Sequence, residues 1–580
     1  MRRLHFIPNV LVIVVLGIGL STFAGCSGCD GGGGDSPDAG MTVDAPSDAG
    51  PDEMICEELP ALSSGVCEVQ SLGAAKLIKG NVLTPTGILR GGQVAIDAEG
   101  QITCVGCDCA KGGETTIVCP AGTVSPGLIN THEHITFQQA EPYTDTGERY
   151  EHRHQWRKGS DGHTKITSSG GASGVKISYA ELRFVMGGAT SIVGSGGQAG
   201  LLRNLDQAAN EEGLNHTAVD FETFPLGDSS GLMLTSTCNY GGTTITPESI
   251  TNYTAFEPHT AEGINAAANN EFKCESSDSY DTTTPGLSEN LLLPKTAMIH
   301  AIGLNPGDYG AMAAAGTALI WSPRSNITLY GNTAAVTTAA RLGVEIALGT
   351  DWMPTGSMNV LRELRCADSL NKTYFGGYFT DKQLWQMTTL NAAAVTATDD
   401  ALGILAPGHQ ADISIFATNG KGYYRSIIEA EPQDVVLVMR GGKALYGDAA
   451  AVAELRSECD ELDVCGTGKR VCVKPEIGKT WTELQAAVGT IYPAFACGAP
   501  AKEPSCVPQR PVSVASSTVF TGASTADDTD GDGIANASDN CPTVFNPARP
   551  MDNGMQGDAD SDGMGDPCDV CPLDANSTMC

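Results

Sequence analysis

The most informative stretch of this chain reads Pro126-Gly127-Leu128-Ile129-Asn130-Thr131-His132-Glu133-His134. Its apolar start and polar end are typical of a short buried strand that leads into a site. Because side chains alternate along a strand, His132 and His134 point to the same face. Two imidazoles placed in this way can bind one metal ion. The pattern alone also fits a solvent-exposed or structural pair of histidines.

The sequence around this stretch predicts an α/β fold, a (β/α)8 TIM barrel. Residues 126–402 provide about 35 residues for each of eight strand–helix pairs. The fourth strand has no clear signal. The other strand-like apolar runs are Ala189 to Val193, Ala218 to Phe221, Ala297 to Ile299, Ala318 to Trp321 and Val344 to Leu348.

Residues suited to chemistry stand at the ends of such runs. His259 and Glu262 follow a possible strand at Tyr253 to Phe256, while His300 and Asp351 each end an apolar run. The carboxyl ends of barrel strands converge on one mouth, where catalysis occurs. With the two histidines of the first strand, these residues would form a metal site and an acid/base group.

Composition limits the class of protein. The net charge is −34, from 34 basic and 68 acidic residues, which argues against nucleic acid or an anionic membrane surface as a partner. This charge is compatible with bound cations. Hydrophobic residues make up 41%, enough for a large core. The 20 cysteines favour an oxidising compartment over a reducing cytosol.

The first residues predict export. Two arginines precede the apolar run Val10 to Leu20, which is the layout of a signal peptide over residues 1–25. The stretch Phe23-Ala24-Gly25-Cys26 resembles a bacterial lipobox and implies lipidation of Cys26, hence a cell-envelope lipoprotein that is periplasmic or surface-facing. Ordinary cleavage, with Cys26 as a structural thiol, is the alternative. Residues 26–55 predict a flexible acidic linker.

The order and spacing of the barrel motifs resemble the amidohydrolase superfamily, in its cytosine deaminase and chlorohydrolase-like branch. The resemblance extends over residues 73–447 and implies a small composite β-sandwich built from residues 73–125 and 403–447. The segments that carry it are Pro126 to His134, His259 to Glu262, Trp321 to Asn326, Leu348 to Asp351 and Pro407 to Asp412.

The resemblance also implies roles for the residues at the mouth. His132, His134, His259 and Asp351 would bind one divalent metal, Zn or Fe. Asp351 would also accept a proton from the attacking water, and Glu262 and His300 would complete the acid/base chemistry. A divalent metal lowers the pKa of water from 15.7 to about 7. The implied activity is hydrolysis of a carbon–nitrogen bond other than a peptide bond, either deamination of a cyclic amidine or opening of a cyclic amide.

Two departures from the family concern the metal and the substrate. Some members carry a bridging lysine on the fourth strand, and the run His216 to Pro225 has none, which favours a single metal. Glu222 could bridge two metals in a binuclear amidase or dipeptidase, or it could simply end a strand. Trp321 and Ser322 stand where many relatives have a histidine.

The loop after the first strand, Glu148 to Lys158, concentrates cations and aromatic residues. It predicts recognition of an anionic or aromatic small molecule by one or more of four residues, and a solvated loop or helix start is the alternative. These candidates are Arg149, His152, His154 and Trp156.

Two groups of cysteines stand out in the sequence. Cys104, Cys107, Cys109 and Cys119 have a density that suits either zinc or disulfides, and an exported chain favours disulfides. Residues 448–520 hold five more cysteines and predict a disulfide-stapled extension whose connectivity is open.

The C-terminal segment, residues 526–580, is rich in aspartate and repeats the pattern D-x-D-x-D-G. Calcium prefers six to eight hard oxygen ligands, which alternate aspartates beside a glycine turn supply. The segment resembles thrombospondin type 3 repeats, which implies Ca²⁺ binding. The candidate ligands are Asp528, Asp530, Asp532, Asp539, Asp558, Asp560, Asp562 and Asp569.

The sequence therefore predicts an exported, lipid-anchored, metal-dependent hydrolase with a small-molecule substrate. The alternative from another class is a surface-binding or adhesion lipoprotein whose barrel has lost catalysis. Retention of every candidate metal ligand favours the enzyme.

Overall fold

The computed structural model describes residues 53–283 and 287–577. The predicted signal peptide, Cys26 and nearly all of the predicted linker lie outside the described residues. Within these two ranges, no helix has the length and apolar character needed to cross a membrane.

The strands fall into three groups along the chain. Those before the barrel are β1 (Glu53–Ile55), β2 (Glu68–Ser71), β3 (Lys76–Leu83), β4 (Ile88–Ile96), β5 (Ile102–Gly106) and β6 (Thr115–Pro126). Those of the barrel are β7 (Leu128–Asn130), β8 (Ala189–Ile192), β9 (Arg203–Asn204), β10 (Asp220–Glu222), β11 (Phe256–Thr260), β12 (Ala297–His300), β13 (Ala318–Trp321) and β14 (Ile346–Leu348). Those after it are β15 (Ile413–Ala417), β16 (Val435–Arg440), β17 (Lys443–Asp448), β18 (Asp460–Val464) and β19 (Thr467–Val471).

Most of the helices belong to the barrel region, and the last four follow it in the sequence. They are α1 (Arg153–Lys158), α2 (Val175–Met186), α3 (Ala266–Glu275), α4 (Pro306–Ala315), α5 (Pro323–Tyr330), α6 (Val336–Arg341), α7 (Val360–Tyr374), α8 (Asp381–Gln386), α9 (Leu390–Val395), α10 (Tyr423–Ile428), α11 (Ala449–Leu455), α12 (Val473–Ile477) and α13 (Trp481–Val488).

The barrel strands form two parallel sheets, β7-β8-β9 and β10-β11-β12-β13-β14. Backbone hydrogen bonds continue across both junctions: Val219 N donates to Leu205 O at 2.8 Å, and Thr131 N donates to Leu348 O at 3.3 Å. This arrangement of parallel strands confirms the predicted α/β fold and is consistent with a (β/α)8 barrel.

One short strand explains why the sequence pattern was incomplete. The fourth strand, β10, has only three residues, all half-buried, and overlaps the apolar run Ala218 to Phe221, so the strand without a matching run is the third. The third, β9, has two residues, and its Arg203 is buried because its guanidinium pairs with Asp412, Nε to Oδ2 at 2.8 Å. A buried arginine hides such a strand from a search for apolar runs.

The segments before and after the barrel join in one mixed sheet of 11 strands. The junction is the antiparallel pair β6–β15, in which Ile413 faces Pro126. The sheet includes β1 and β2 before residue 73 and β18 and β19 after residue 447, so it is larger than the two segments that the resemblance implies.

Eight disulfides join described cysteines, and they confirm the disulfide interpretation of Cys104, Cys107, Cys109 and Cys119. The pairs are Cys56–Cys107, Cys67–Cys119, Cys104–Cys109, Cys238–Cys274, Cys366–Cys506, Cys459–Cys472, Cys465–Cys497 and Cys541–Cys568.

The C-terminal segment packs against the barrel. Phe545 N donates to the carbonyl of Tyr374 at the end of α7 (2.9 Å), and Arg549 Nη1 donates to Ile302 O (2.9 Å). Thr338 of α6 donates its hydroxyl to Asp566 O at 3.0 Å. This segment is therefore held to the outer helices by main-chain and side-chain hydrogen bonds.

Candidate metal centre at the barrel mouth

The predicted ligands come together at the carboxyl ends of the strands. His132 and His134 follow β7, and Asp351 follows β14. Asp351 Oδ1 lies 3.4 Å from His132 Nε2 and 3.6 Å from His134 Nε2. His259, on β11, places its Nε2 atom 3.3 Å from that of His134.

The two proposed proton-handling residues border this group. His300 ends β12, and its Nε2 atom is 3.7 Å from Glu262 Oε2 and 3.9 Å from Asp351 Oδ2. Glu262, His300 and Asp351 are 1–4% exposed, so the bulk solvent screens their charges weakly. The structure thus brings all six sequence-predicted residues to one site.

The backbone at this site adopts a conformation that side chains other than glycine rarely take. The φ angles of Ala261, His300 and Asp351 are 51°, 69° and 54°. Such left-handed residues cost free energy and cluster at functional sites, where the surrounding structure holds them. Here they turn the chain at the ends of strands so that the side chains face the mouth.

Hydrogen bonds fix which nitrogen of two histidines faces the site. His259 Nδ1 lies 3.2 Å from the carbonyl oxygen of Glu222, which can only accept, so Nδ1 carries the proton. His300 Nδ1 donates in the same way to Asn326 Oδ1 at 3.0 Å. In both residues the Nε2 lone pair is left for a ligand at the mouth.

Burial also gives the site residues protonation states that suit a bound cation. It lowers the pKa of His132, that of His134 to about 3, and that of His259 well below the usual value, so these imidazoles are neutral at pH 7. Burial opposes ionisation of Asp351, but the close contact with His132 and the other nearby histidines outweighs it and lowers its pKa. The group therefore offers neutral nitrogens and one carboxylate.

These residues fit a divalent metal. The Nε2 atom of His132 is buried and has no hydrogen-bond partner, although a carboxylate oxygen lies 3.4 Å away. His132 groups with His134 and Asp351, and also with His259 and His300, at distances that one ion could bridge. Imidazole and carboxylate ligands of this kind suit zinc or iron.

Two supporting residues were missed by the sequence analysis. Tyr330, at the end of α5, donates its hydroxyl to Glu262 Oε1 at 2.7 Å. Ser325, on the same helix, donates to Asp351 Oδ2 at 2.6 Å. The spacing of five residues between them gave no signal, because neither residue type is specific for a site.

A cavity of about 370 Å³ opens onto the metal centre. Its apolar lining is aromatic, and its polar lining comes from the site residues, two arginines of α1, Ser195 and Thr223. The aromatic residues that line it are Phe137, Trp156, Phe224 and Trp352. A cavity with flat apolar walls and a few convergent polar groups suits a small cyclic ligand.

The predictions for the first loop need correction, because only Trp156 of the four candidates lines the cavity. The guanidinium of Arg149 is bound by Asp145, Nη1 to Oδ1 at 2.8 Å. His152 and His154 are fully buried and turn to carboxylates behind the cavity wall.

The residues of this loop that do line the cavity are Arg153, Trp156 and Arg157. They share one helix face at i, i+3 and i+4. That periodicity was the signal available in the sequence, and it becomes usable only once α1 is known to begin at Arg153.

The alternative role of Glu222 as a bridging ligand receives no support from its position. Its carboxylate accepts a hydrogen bond from Phe224 N at 2.9 Å, and its main-chain carbonyl orients His259. It belongs to none of the metal-suited groups found among the described residues.

The aspartates of the C-terminal segment form two further groups. Asp528, Asp530 and Asp532 bring their oxygens within 4.8 Å of one another. The second group has the same spacing, with Asp558, Asp560 and Asp562. Asp539 and Asp569 accept main-chain hydrogen bonds from residues two positions later, each at 2.8 Å.

Comparisons with known proteins agree with this geometry. The model of the amidohydrolase family matches residues 123–445, and that of the thrombospondin type 3 repeat matches residues 526–549. A 5'-deoxyadenosine deaminase of Methanosarcina mazei is 24% identical over 353 residues, which covers 57% of this chain and 80% of the relative. The corresponding enzyme of Methanosarcina barkeri is 25% identical over 400 residues, covering 63% and 90%.

Some solved structures are also similar to this chain, at low sequence identity. An adenosine deaminase from Xanthomonas campestris with bound zinc has 17% identity and a TM-score of 0.45, covering 67% of this chain and 98% of its own. A zinc-containing atrazine chlorohydrolase from Arthrobacter aurescens has 17% identity and a TM-score of 0.46, covering 64% and 95%. Since the family model spans more than half of the sequence, including every residue of the metal centre, this chain belongs to the amidohydrolase family.

Proposed function

We propose that this protein is a metal-dependent deaminase that hydrolyses a carbon–nitrogen bond of a cyclic amidine and releases ammonia. The observation that carries the proposal is the convergence of four histidines, Asp351 and Glu262 beside an aromatic cavity. The deaminases among its relatives support the choice of a cyclic amidine over a cyclic amide.

His132, His134, His259 and Asp351 would hold one divalent metal, zinc or iron. When bound, the metal supplies Lewis acidity and lowers the pKa of water to about 7. Asp351 is placed to accept a proton from the attacking water, because its Oδ1 atom faces the histidines at 3.4 and 3.6 Å. Ser325 and the main-chain N–H of Trp352 hold that carboxylate in place, each at 2.6 Å.

Glu262 is placed to move the proton to the leaving nitrogen. Tyr330 binds its Oε1 atom, which leaves Oε2 facing His300 and the cavity. His300 can orient the electrophilic carbon by hydrogen bonding through Nε2. In the overall reaction water adds to the amidine carbon, the C–N bond breaks, ammonia leaves and a carbonyl group forms.

The proposal is tested by ammonia release from a panel of cyclic amidines, including adenine nucleosides, with cyclic amides as the second arm. We expect zinc-loaded protein to turn over at least one amidine, and the Glu262→Gln variant to lose that activity while it keeps its metal. Turnover of cyclic amides alone, or of no member of the panel by fully metal-loaded protein, would contradict the assignment as a deaminase.

For the C-terminal segment, we infer that it binds at least two Ca²⁺ ions. Two groups of three aspartates crowd their carboxylates, and Asp530 Oδ2 and Asp560 Oδ2 are buried without hydrogen-bond partners. Burial and the neighbouring aspartates raise the pKa of Asp530 and Asp532 to about 7, as expected where a cation is needed to balance charge. Carboxylate oxygens on a glycine-containing loop are the ligands that calcium prefers.

For its location, we infer that the protein is a lipid-anchored component of the bacterial cell envelope. The lipobox-like stretch that ends at Cys26 supports the anchor, and the disulfides support an oxidising compartment.

A further inference from the structure

The two arginines of α1 that line the cavity have different partners. Arg153 is 1% exposed, its guanidinium pairs with Asp228, and its Nη2 atom lies 3.3 Å from Glu271 Oε1. Arg157, one helical turn later, is half-buried and forms no ion pair with any carboxylate in the described part of the chain. The charge of Arg153 is thus satisfied inside the protein, and that of Arg157 is not.

The contacts of Arg157 hold its guanidinium without neutralising it. Nη1 donates to His154 Nδ1 at 2.8 Å, and the guanidinium carbon lies 4.1 Å from the ring centre of Phe224, which also lines the cavity. A guanidinium has five N–H donors and no acceptor, so further donors remain for a ligand. Stacking on an aromatic ring is a common way to orient an arginine that recognises a planar anion.

The group behind Arg157 is an ion-pair network rather than a second metal site, although His152, His154 and Glu271 bring their ligand atoms close together. His152 Nδ1 accepts from the main-chain N–H of His154 at 3.2 Å, and His154 Nδ1 accepts from Arg157. Both donors can only donate, so both imidazoles carry their proton on Nε2.

Those two Nε2 atoms lie close to carboxylate oxygens, at distances that suit a protonated nitrogen. His152 Nε2 lies 3.2 Å from Glu271 Oε1, and His154 Nε2 lies 2.9 Å from Asp228 Oδ2. The network therefore holds α1 in place and presents Arg157 to the cavity through a neutral imidazole.

We propose that Arg157 is a specificity-determining residue that selects substrates carrying an anionic group, a carboxylate or a phosphate, on the ring system that reacts. Phe224 and Trp156 provide flat walls for the ring, and the metal centre lies in the same cavity. This inference rests on the proposed function, because it assigns the substrate class of that same site.

The arrangement favours an anion for electrostatic reasons. Arg157 is partly removed from water and has no carboxylate partner, so a bound anion gains from the weaker screening in the cavity. A guanidinium also matches the two oxygens of a carboxylate or phosphate in a bidentate hydrogen bond, which a neutral group cannot reproduce. In a chain with a net charge of −34, an arginine would ordinarily pair with one of the many carboxylates. Arg157 does not pair with any carboxylate among the described residues, which is consistent with a place for an external anion.

The test compares the binding of benzoate, its neutral isostere benzamide and phenyl phosphate to zinc-loaded protein by calorimetry. The variants are Arg157→Gln and, as a matched control, Lys158→Gln, which removes one positive charge from an exposed neighbour on the same helix. We expect the wild type and Lys158→Gln to bind one of the two anions at least tenfold more tightly than benzamide. In Arg157→Gln this preference should fall to within twofold, with metal content unchanged.

The comparison of benzoate with phenyl phosphate decides between carboxylate and phosphate. If Arg157→Gln still prefers the anion over benzamide, the preference comes from the metal and the proposal is wrong. The proposal is also wrong if the wild type prefers neither anion. The binding measurement needs no turnover. A protein that shows the Arg157-dependent preference but deaminates nothing would therefore contradict the proposed function alone.

Discussion

Tyr330 is the side chain through which the role of Glu262 can be tested with least disturbance. Replacing it with phenylalanine removes the hydroxyl that donates to Glu262 Oε1 and accepts from Trp156 Nε1 at 2.9 Å. A hydrogen bond to a charged group contributes roughly 1.5–3 kcal/mol, so kcat should fall by about tenfold or more. The pH profile of kcat should also shift, while the metal content stays the same. An unchanged profile and kcat would show that Tyr330 does not tune Glu262.

Glu181, on α2, allows a test of buried charge away from the metal centre. Burial raises the pKa of its carboxyl to about 8, and its Oε1 atom accepts from Gln198 N at 2.7 Å. The folded protein therefore binds this proton more tightly than the unfolded chain, whose carboxyl has a pKa near 4.5. The stabilising contribution is complete below pH 4.5 and is lost as the pH rises to about 8.

Glutamine cannot ionise. The free energy of unfolding of Glu181→Gln, measured relative to that of the wild type, should therefore be greater at pH 9 than at pH 5. Urea unfolding of both proteins at the two pH values measures the difference. A stability difference that is independent of pH would mean that Glu181 remains ionised when buried.

Arg510 contributes to the connection between the extension and the barrel, in addition to the Cys366–Cys506 disulfide. Its Nη1 atom donates to the carbonyls of Tyr150 (3.2 Å) and Tyr330 (3.1 Å), and its Nη2 atom pairs with Glu151. Arg510→Met would leave Glu151 buried and without this partner, which costs about 3–5 kcal/mol in other proteins. We expect a loss of that order in urea unfolding, together with lower activity because Tyr330 moves.

Lys502→Met is the matched control for that experiment. Lys502 pairs with Glu141, and both side chains are more than half exposed, at 53% and 66%. Its loss should change the free energy of unfolding by less than about 1 kcal/mol. Equal effects of the two substitutions would argue against a structural role for the buried pair.

The strands that carry the metal centre were predictable because each is followed by a metal-binding residue type. Few proteins share the spacing of these residues along the sequence. His132, His259 and Asp351 follow apolar runs of the right length. The first loop was not predictable in the same way. The start of α1 determines which cations of this loop face the cavity. His152 caps that helix through its own side chain, and such a cap leaves no periodic pattern in the sequence.

The docking of the C-terminal segment was also beyond prediction from the sequence. The aspartate repeat predicted a calcium-binding segment, yet Phe545 packs edge-to-face on Tyr374 with a ring-centre distance of 5.7 Å. A single aromatic residue can anchor such a segment through contacts with a distant helix, and nothing near it in the sequence marks the partner.

Calcium should act on this segment without removing the fold of the barrel. We expect Asp530→Asn combined with Asp560→Asn to abolish calcium binding by the full chain, as measured by calorimetry, since each aspartate supplies an oxygen to one group. Residues 526–577 should then be cleaved faster by protease, while the barrel stays resistant. Wild-type protein that binds no calcium would contradict the assignment of these loops.

Anchoring is tested on residues outside the described ranges. Cys26→Ser should abolish labelling with a fatty acid and leave an unprocessed precursor, because acylation requires the thiol. Labelling that is unchanged in this variant would rule out the lipobox.

Metal content and turnover measured on the same samples test the enzyme assignment most directly. The proteins to compare are the wild type, His259→Ala, Asp351→Asn and Glu262→Gln. We predict about one zinc or iron ion per chain in the wild type, loss of that metal and of activity in His259→Ala, and a loss of activity of at least about 10²-fold in Asp351→Asn. Glu262→Gln should keep its metal and lose turnover to a similar degree. A wild type that cannot be loaded with Zn²⁺ or Fe²⁺, or a Glu262→Gln protein that loses its metal, would contradict this account.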